Sequence, residues 1–196
     1  MKTPENFMDY LAAHRDCDDE ILDYARMLSA EDIDCSMEPK IAKIRRMISG
    51  VTCEIHKMRG FIRLVPLSDT VSYGYMEPEH EIGKWVAASL AHRFPNTQIV
   101  IGNHMHTWSA QYSDCGLIYS KGLGIMQRIE ELKEEYKDLS AQTEVQKLWT
   151  NYYISQYSRE RRNSKLFQKN MPEKHMRAAG LVTEKACGNM TLASFC

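Results

Sequence analysis

Residues 39–76, PKIAKIRRMISGVTCEIHKMRGFIRLVPLSDTVSYGYM, change their apolar period once, at Gly60. Before that glycine Ile41, Ile44, Ile48, Val51, Ile55 and Met58 recur at spacings of three and four, the period of one helix face. Pro39 suits a first helical turn, where a missing N–H costs nothing, and Gly60 suits a helix end. Lys40, Lys43, Arg46, Lys57 and Arg59 fall largely off the stripe and are free to meet water or a partner. After Gly60 the period becomes two. Phe61–Leu67 and Thr70–Met76 read as strands around a Ser68-Asp69 turn.

The same reading extends outward. Glu77-Pro78-Glu79 reads as a helix start, with Ile82, Val86 and Leu90 on one face and Pro95-Asn96 as the stop. A second hairpin follows: Gln98–Ile101, a Gly102-Asn103 turn, then His104–Ser113, with Asp114-Cys115-Gly116 turning into Leu117–Tyr119. Upstream, Phe7 and Leu11, then Ile21, Ala25 and Leu28, predict two short helices, the Asp16–Glu20 cluster suiting a helix start. From Ile125 the pattern is helical again. The fold class expected is α+β: an antiparallel sheet of two β-hairpins with a connecting helix, flanked by N- and C-terminal helices. The organisation expected is an acidic helical arm over 1–38, a core domain over 39–180 and a loosely ordered tail over 181–196.

Composition narrows the class. The 196 residues are 43% hydrophobic and 26% charged, which favours a folded chain over a disordered one. No apolar run approaches the roughly 20 residues of a membrane-spanning helix, and no signal peptide is visible. Six cysteines without a C-x-x-C pair suit reduced thiols, so the expected location is cytoplasmic. The net charge of −1 conceals a split: residues 1–38 hold three basic and eleven acidic side chains, the rest 22 and 15. That asymmetry allows a basic face for a polyanion with acid beside it, or simply a solvated surface. No phosphate-binding loop, dinucleotide fingerprint, H-E-x-x-H or G-x-S-x-G occurs.

Three local features carry chemistry. His104 and His106, two apart on an expected strand, share a face and form an incomplete metal pair, to which His80 or Cys115 would have to be added. Residues 157–177 hold seven basic and two acidic side chains. Arg159, Arg161 and Arg162 on a helix are spaced to meet phosphates, and Asn163 adds a polar contact. Nearby Trp149, Tyr152, Tyr153 and Tyr157 offer stacking surfaces, although helical spacing favours packing for the first three. The corner His56-Lys57-Met58-Arg59-Gly60-Phe61-Ile62-Arg63 adds basic groups that, with the C-terminal segment, would make a concave basic site.

Read together, three stretches resemble a bacterial and archaeal family of probable DNA metabolism proteins. They are His56–Phe61 with Arg63; Glu77-Pro78-Glu79-His80 with Arg93-Phe94-Pro95; and Leu148-Trp149, Tyr152-Tyr153, Glu160-Arg161-x-Asn163 and Met171-Pro172. The resemblance spans about Pro39 to Arg177. Ser89-Leu90, Asn103 with His104-Met105-His106, and His175-Met176 depart from the family pattern. Its members occur fused to uracil-DNA-glycosylase-like domains or beside a radical-SAM protein of DNA modification or repair. The resemblance therefore implies DNA and a glycosylase-like or radical-SAM protein as partners. The expected role is an accessory protein of DNA repair or modification, with His56, Arg59, Arg63, Arg159, Arg161, Arg162 and Asn163 on nucleic acid. Alternatives are a protein-interaction adaptor, or an enzyme using His56, Glu160 and His104 or His106. Neither the residues nor the resemblance identifies a cofactor.

Overall fold

The computed structural model describes residues 2–124, 127, 129–131, 148, 151, 152, 155, 156, 158–161, 163–171 and 173–179. The protein is α+β, as expected, with helices and a five-stranded, mostly antiparallel sheet. Its contacts divide it into two compact units, Met1–Gly60 with Pro78–Val86, and Phe61–Glu77 with the chain from Ala87 onward.

The first unit is helical. Three short helices, α1 (Phe7–Ala12), α2 (Asp19–Ala25) and α3 (Ala30–Cys35), precede the long α4 (Pro39–Phe61). The acidic cluster does start a helix: Asp18 accepts the Ile21 amide at 2.8 Å and caps α2. Ser29 and Asp32 form a reciprocal capping box that starts α3, a third helix that apolar spacing had not revealed. The α4 stripe is buried throughout, and its first half shares a core with Phe7, Leu11, Ile21, Ala25 and Ile33. Residues 1–38 thus contribute to the core of this unit. Helix α4 runs through Gly60 to Phe61, two residues farther than a glycine stop predicts.

The second unit holds the sheet, ordered β1 (Val65–Pro66), β2 (Val71–Tyr75), β3 (Gln98–Gly102), β4 (Thr107–Ser113) and β5 (Gly116–Gly122). β1 pairs antiparallel with β2, and β3–β4–β5 form an antiparallel meander. β2 and β3 are parallel, in the register Val71↔Gln98 to Tyr75↔Gly102. The sheet is therefore mixed: helix α5 (Gly83–Arg93) lies between these strands in the chain and lets β3 run in the direction of β2. β3 is central and buried from Ile99 to Gly102, while β5 is exposed along most of its length.

The first expected strand shrinks to two residues because α4 takes Phe61. Residues 62–64 then run so close to β2 that a Cβ on Gly74 would lie 2.8 Å from Ile62 Cγ2 and 3.1 Å from the Arg63 carbonyl. The expected start of β4 at His104 is also displaced. The Asn103 side chain accepts the amides of Met105 and His106, both at 2.9 Å, and Asn103 N–H donates to the His106 carbonyl. These bonds make 103–106 a turn, and the ladder resumes at Thr107. A Cβ on Gly102 would strike the His106 carbonyl, which explains glycine there. Toward the C-terminus the described residues from 127 to 156 are helical, followed by a 3-10 turn (Arg159–Arg161), α6 (Ser164–Asn170) and α7 (Glu173–Ala178). The expected tail over 181–196 lies outside the described residues.

Candidate nucleic-acid interface

The basic residues singled out by sequence fall in both units. His56 and Arg59 belong to the first, exposed on the last turns of α4. On an ideal helix Lys43, Arg46 and Lys57 point away from the apolar stripe, and all three are exposed. Lys43, Lys57 and Arg59 have no ion-pair partner among the described residues, whereas Lys40 is bound to Glu20 at 3.1 Å. Arg46 donates to the Ala42 carbonyl within its own helix. The solvent face of α4 is thus a run of cations, apparent once the apolar stripe is subtracted.

Arg63 and the C-terminal basic segment belong to the second unit. Arg63 is exposed, while its backbone N–H donates to the Ala178 carbonyl at 2.9 Å. Glu160 and Arg161 are exposed in the 3-10 turn, and neither has an ion-pair partner among the described residues. Arg162 and the side chain of Arg159 lie outside the described residues, as do Trp149, Tyr153, Tyr157 and Pro172. Tyr152, for which helical spacing favoured packing, is 56% exposed. Asn163 has a task that charge counting overlooked: its Oδ1 accepts the Leu166 amide at 2.9 Å and caps α6. The signal was present, an asparagine just ahead of a helix.

The corner after α4 does meet the C-terminal segment within the second unit, through a joint that is not simply basic. Phe61 stacks on the buried His175 ring, with centroids 5.1 Å apart. Glu77 accepts from the Tyr75 hydroxyl and from Arg177, both at 3.2 Å, and Arg177 also donates to Glu173 at 2.8 Å. Burial, then the neighbouring Glu77 charge, pushes the Tyr75 hydroxyl above its ordinary range. Arg177 is therefore engaged by two carboxylates, and α7 is held against β2. Half-exposed pairs of this kind contribute at most about 1 kcal/mol each, so the stack and the Arg63 amide bond matter as much.

His104 and His106 lie in the 103–106 turn, so strand alternation does not align them. The His104 ring lies toward Tyr75 and the His106 ring toward Trp108, each at 6.0 Å. No group of three or more His, Cys, Asp or Glu side chains among the described residues is placed to hold a metal ion.

In the first unit sequence reasoning missed Glu54. It is 6% exposed, and its two oxygens accept the amides of Glu79 at 2.8 Å and His80 at 3.0 Å. This fixes residues 79–80 as irregular backbone and delays the expected helix to Gly83. His80 in turn accepts the Arg15 amide on Nδ1, and its ring packs on His14 with centroids 4.3 Å apart.

These features define an α+β protein with exposed cations on α4 and in the C-terminal turn, several of them without an ion-pair partner among the described residues. The chain belongs to the family described as a domain of unknown function, DUF4130, which matches residues 17–179. No curated protein and no solved structure matches it. No helix among the described residues is long and apolar enough to cross a membrane.

Proposed function

We propose that the protein is an accessory component of DNA repair or modification that binds nucleic acid through exposed basic side chains. The observation that carries this reading is that Lys43, Lys57, Arg59 and Arg161 are exposed without a carboxylate partner among the described residues. Cations left unpaired at a surface are available to displace counterions from a phosphate backbone. The family resemblance supplies DNA as the polyanion and a glycosylase-like or radical-SAM protein as the companion. In this reading Arg59, Arg63, Arg159, Arg161 and Arg162 contact phosphates. His56 adds a polar contact, and Asn163 donates through its amide nitrogen while its oxygen caps α6.

Fluorescence anisotropy with single- and double-stranded DNA tests the reading. If each of the five arginines neutralises one duplex phosphate, log affinity falls with log salt at a slope of about −4.5, roughly 500-fold between 50 and 200 mM. Arg59→Glu or Arg161→Glu should weaken binding across sequences and reduce the slope by about 1. Absence of binding at 50 mM salt, or affinity indifferent to salt, overturns the proposal. In that event, nuclease-resistant co-purification with a protein from the native host would favour the adaptor reading. Deleting residues 1–38 is a poor test of masking by acid, because Phe7, Leu11, Ile21 and Ile33 are core. Neutralising the exposed Asp19, Glu20 and Asp23 leaves that core intact.

A further inference from the structure

The first unit also contains two imidazoles whose proton positions are dictated by their surroundings. His14 Nδ1 accepts the Asp16 amide at 3.1 Å, and His80 Nδ1 accepts the Arg15 amide at 3.3 Å. A nitrogen that accepts N–H must keep its lone pair, so in each neutral ring the proton resides on Nε2. Both Nε2 atoms lie beside Gly50 of α4. A Cβ on Gly50 of α4 would lie 3.6 Å from His80 Nε2 and 3.9 Å from His14 Nε2. Neither Nε2 has a hydrogen-bond partner among the described residues. Glycine at position 50 leaves empty the volume beside both donors that a side chain would take.

The arrangement is held in place in advance. Glu54 grips the amides of Glu79 and His80, Glu81 N–H donates to the Ala13 carbonyl at 2.9 Å, and the rings pack on each other. Donors fixed beside one point need little rearrangement to receive an acceptor there. Their tautomers also decide the ligand class. A metal ion on Nε2 would move each ring proton to Nδ1, where it would face the amide N–H that Nδ1 now accepts. The charged and titratable groups facing His14 are His80, Asp16, Arg15 and Glu54. Two carboxylates against one guanidinium disfavour a dianion.

We propose that His14 and His80 form a two-donor site for a single sp2 oxygen, carbonyl or carboxylate, of a ligand lying over Gly50. The site does not rest on the nucleic-acid reading and stands or falls separately. The test uses the full chain labelled with ¹⁵N-histidine, whose long-range proton–nitrogen correlations report tautomer and binding. Formamide and formate, matched in size and differing in charge, are the probes. The free protein should show Nε2–H tautomers for both residues. Either probe should then shift both Nε2 signals together, and the one that binds more tightly distinguishes a neutral carbonyl from a carboxylate.

Gly50→Ala places a methyl group at ordinary contact distance from both nitrogens and suits a helix interior, so the fold should persist. It should weaken probe binding by about tenfold or more without changing the tautomers. His14→Phe, which keeps a ring beside His80 and removes one donor, should also weaken it. Unmoved Nε2 signals with both probes, full binding in Gly50→Ala, or zinc held by both Nε2 atoms each overturn the proposal.

Discussion

Replacing Glu54 by alanine tests the account of the first unit most directly. Its carboxylate is 6% exposed and accepts two backbone amides, those of Glu79 and His80, at 2.8 and 3.0 Å. Hydrogen bonds to a charged group contribute about 1.5–3 kcal/mol each, so two give roughly 3–6 kcal/mol. Returning the buried carboxylate to water on unfolding offsets part of this, because a desolvated charge costs several kcal/mol. Alanine, however, leaves two amide donors without their acceptor, at about 1–3 kcal/mol each. The expected loss is about 3 kcal/mol. For a chain of this size that lowers Tm by roughly 6–12 °C. Glu54→Gln keeps the volume and one acceptor oxygen, so it should fall between alanine and wild type.

Thermal melts followed by far-UV circular dichroism give the stability change, and amide exchange gives its location. Glu79 and His80 amides should lose protection well before the α4 amides in Glu54→Ala. A loss below about 1 kcal/mol would refute the reasoning, since even one orphaned amide should cost that much. Unchanged protection at residues 79 and 80 would refute it as well.

Acid should weaken the same unit. Burial, followed by the neighbouring His80, lowers the His14 pKa from 6.5, so the unfolded chain binds the proton more readily. Stability is then fully present above about pH 6.5 and declines as pH falls from there through the folded-state pKa; His14→Phe should flatten the decline in Tm between pH 7.5 and 5. Gly74→Ala should destabilise by about 1–3 kcal/mol in urea titration, because its methyl meets Ile62 and the Arg63 backbone, which cannot simply swing away. Asn163→Ala should cost about 1 kcal/mol of local stability at α6, read as faster exchange of the Leu166 amide. If Asn163 acts mainly as the cap, that change should exceed any change in the slope of DNA affinity against salt.

Sequence alone determined the elements whose cause is local. The α4 stripe was legible because a 3.6-residue period records one buried face, and every residue of that stripe is buried. The Asp18 cap and the end of α5 near Pro95 were legible for the same reason: capping and ring geometry act within a few residues. The cations on α4 could be placed on its solvent face by subtraction. Tertiary structure decided what depends on distant chain segments. Glu54 lies off the apolar stripe and reads as a surface residue, yet it is buried because residues 79–80 return to bring it their amides. β3 runs parallel to β2, a pairing that no local turn announces. His104 and His106, aligned on paper as a strand pair, belong to a turn because the Asn103 side chain competes for the backbone amides. His14 and His80 are separated by 66 positions and became neighbours only through the fold. Periodicity reports which face of an element is apolar, whereas contacts across such separations depend on where other elements satisfy their hydrogen bonds.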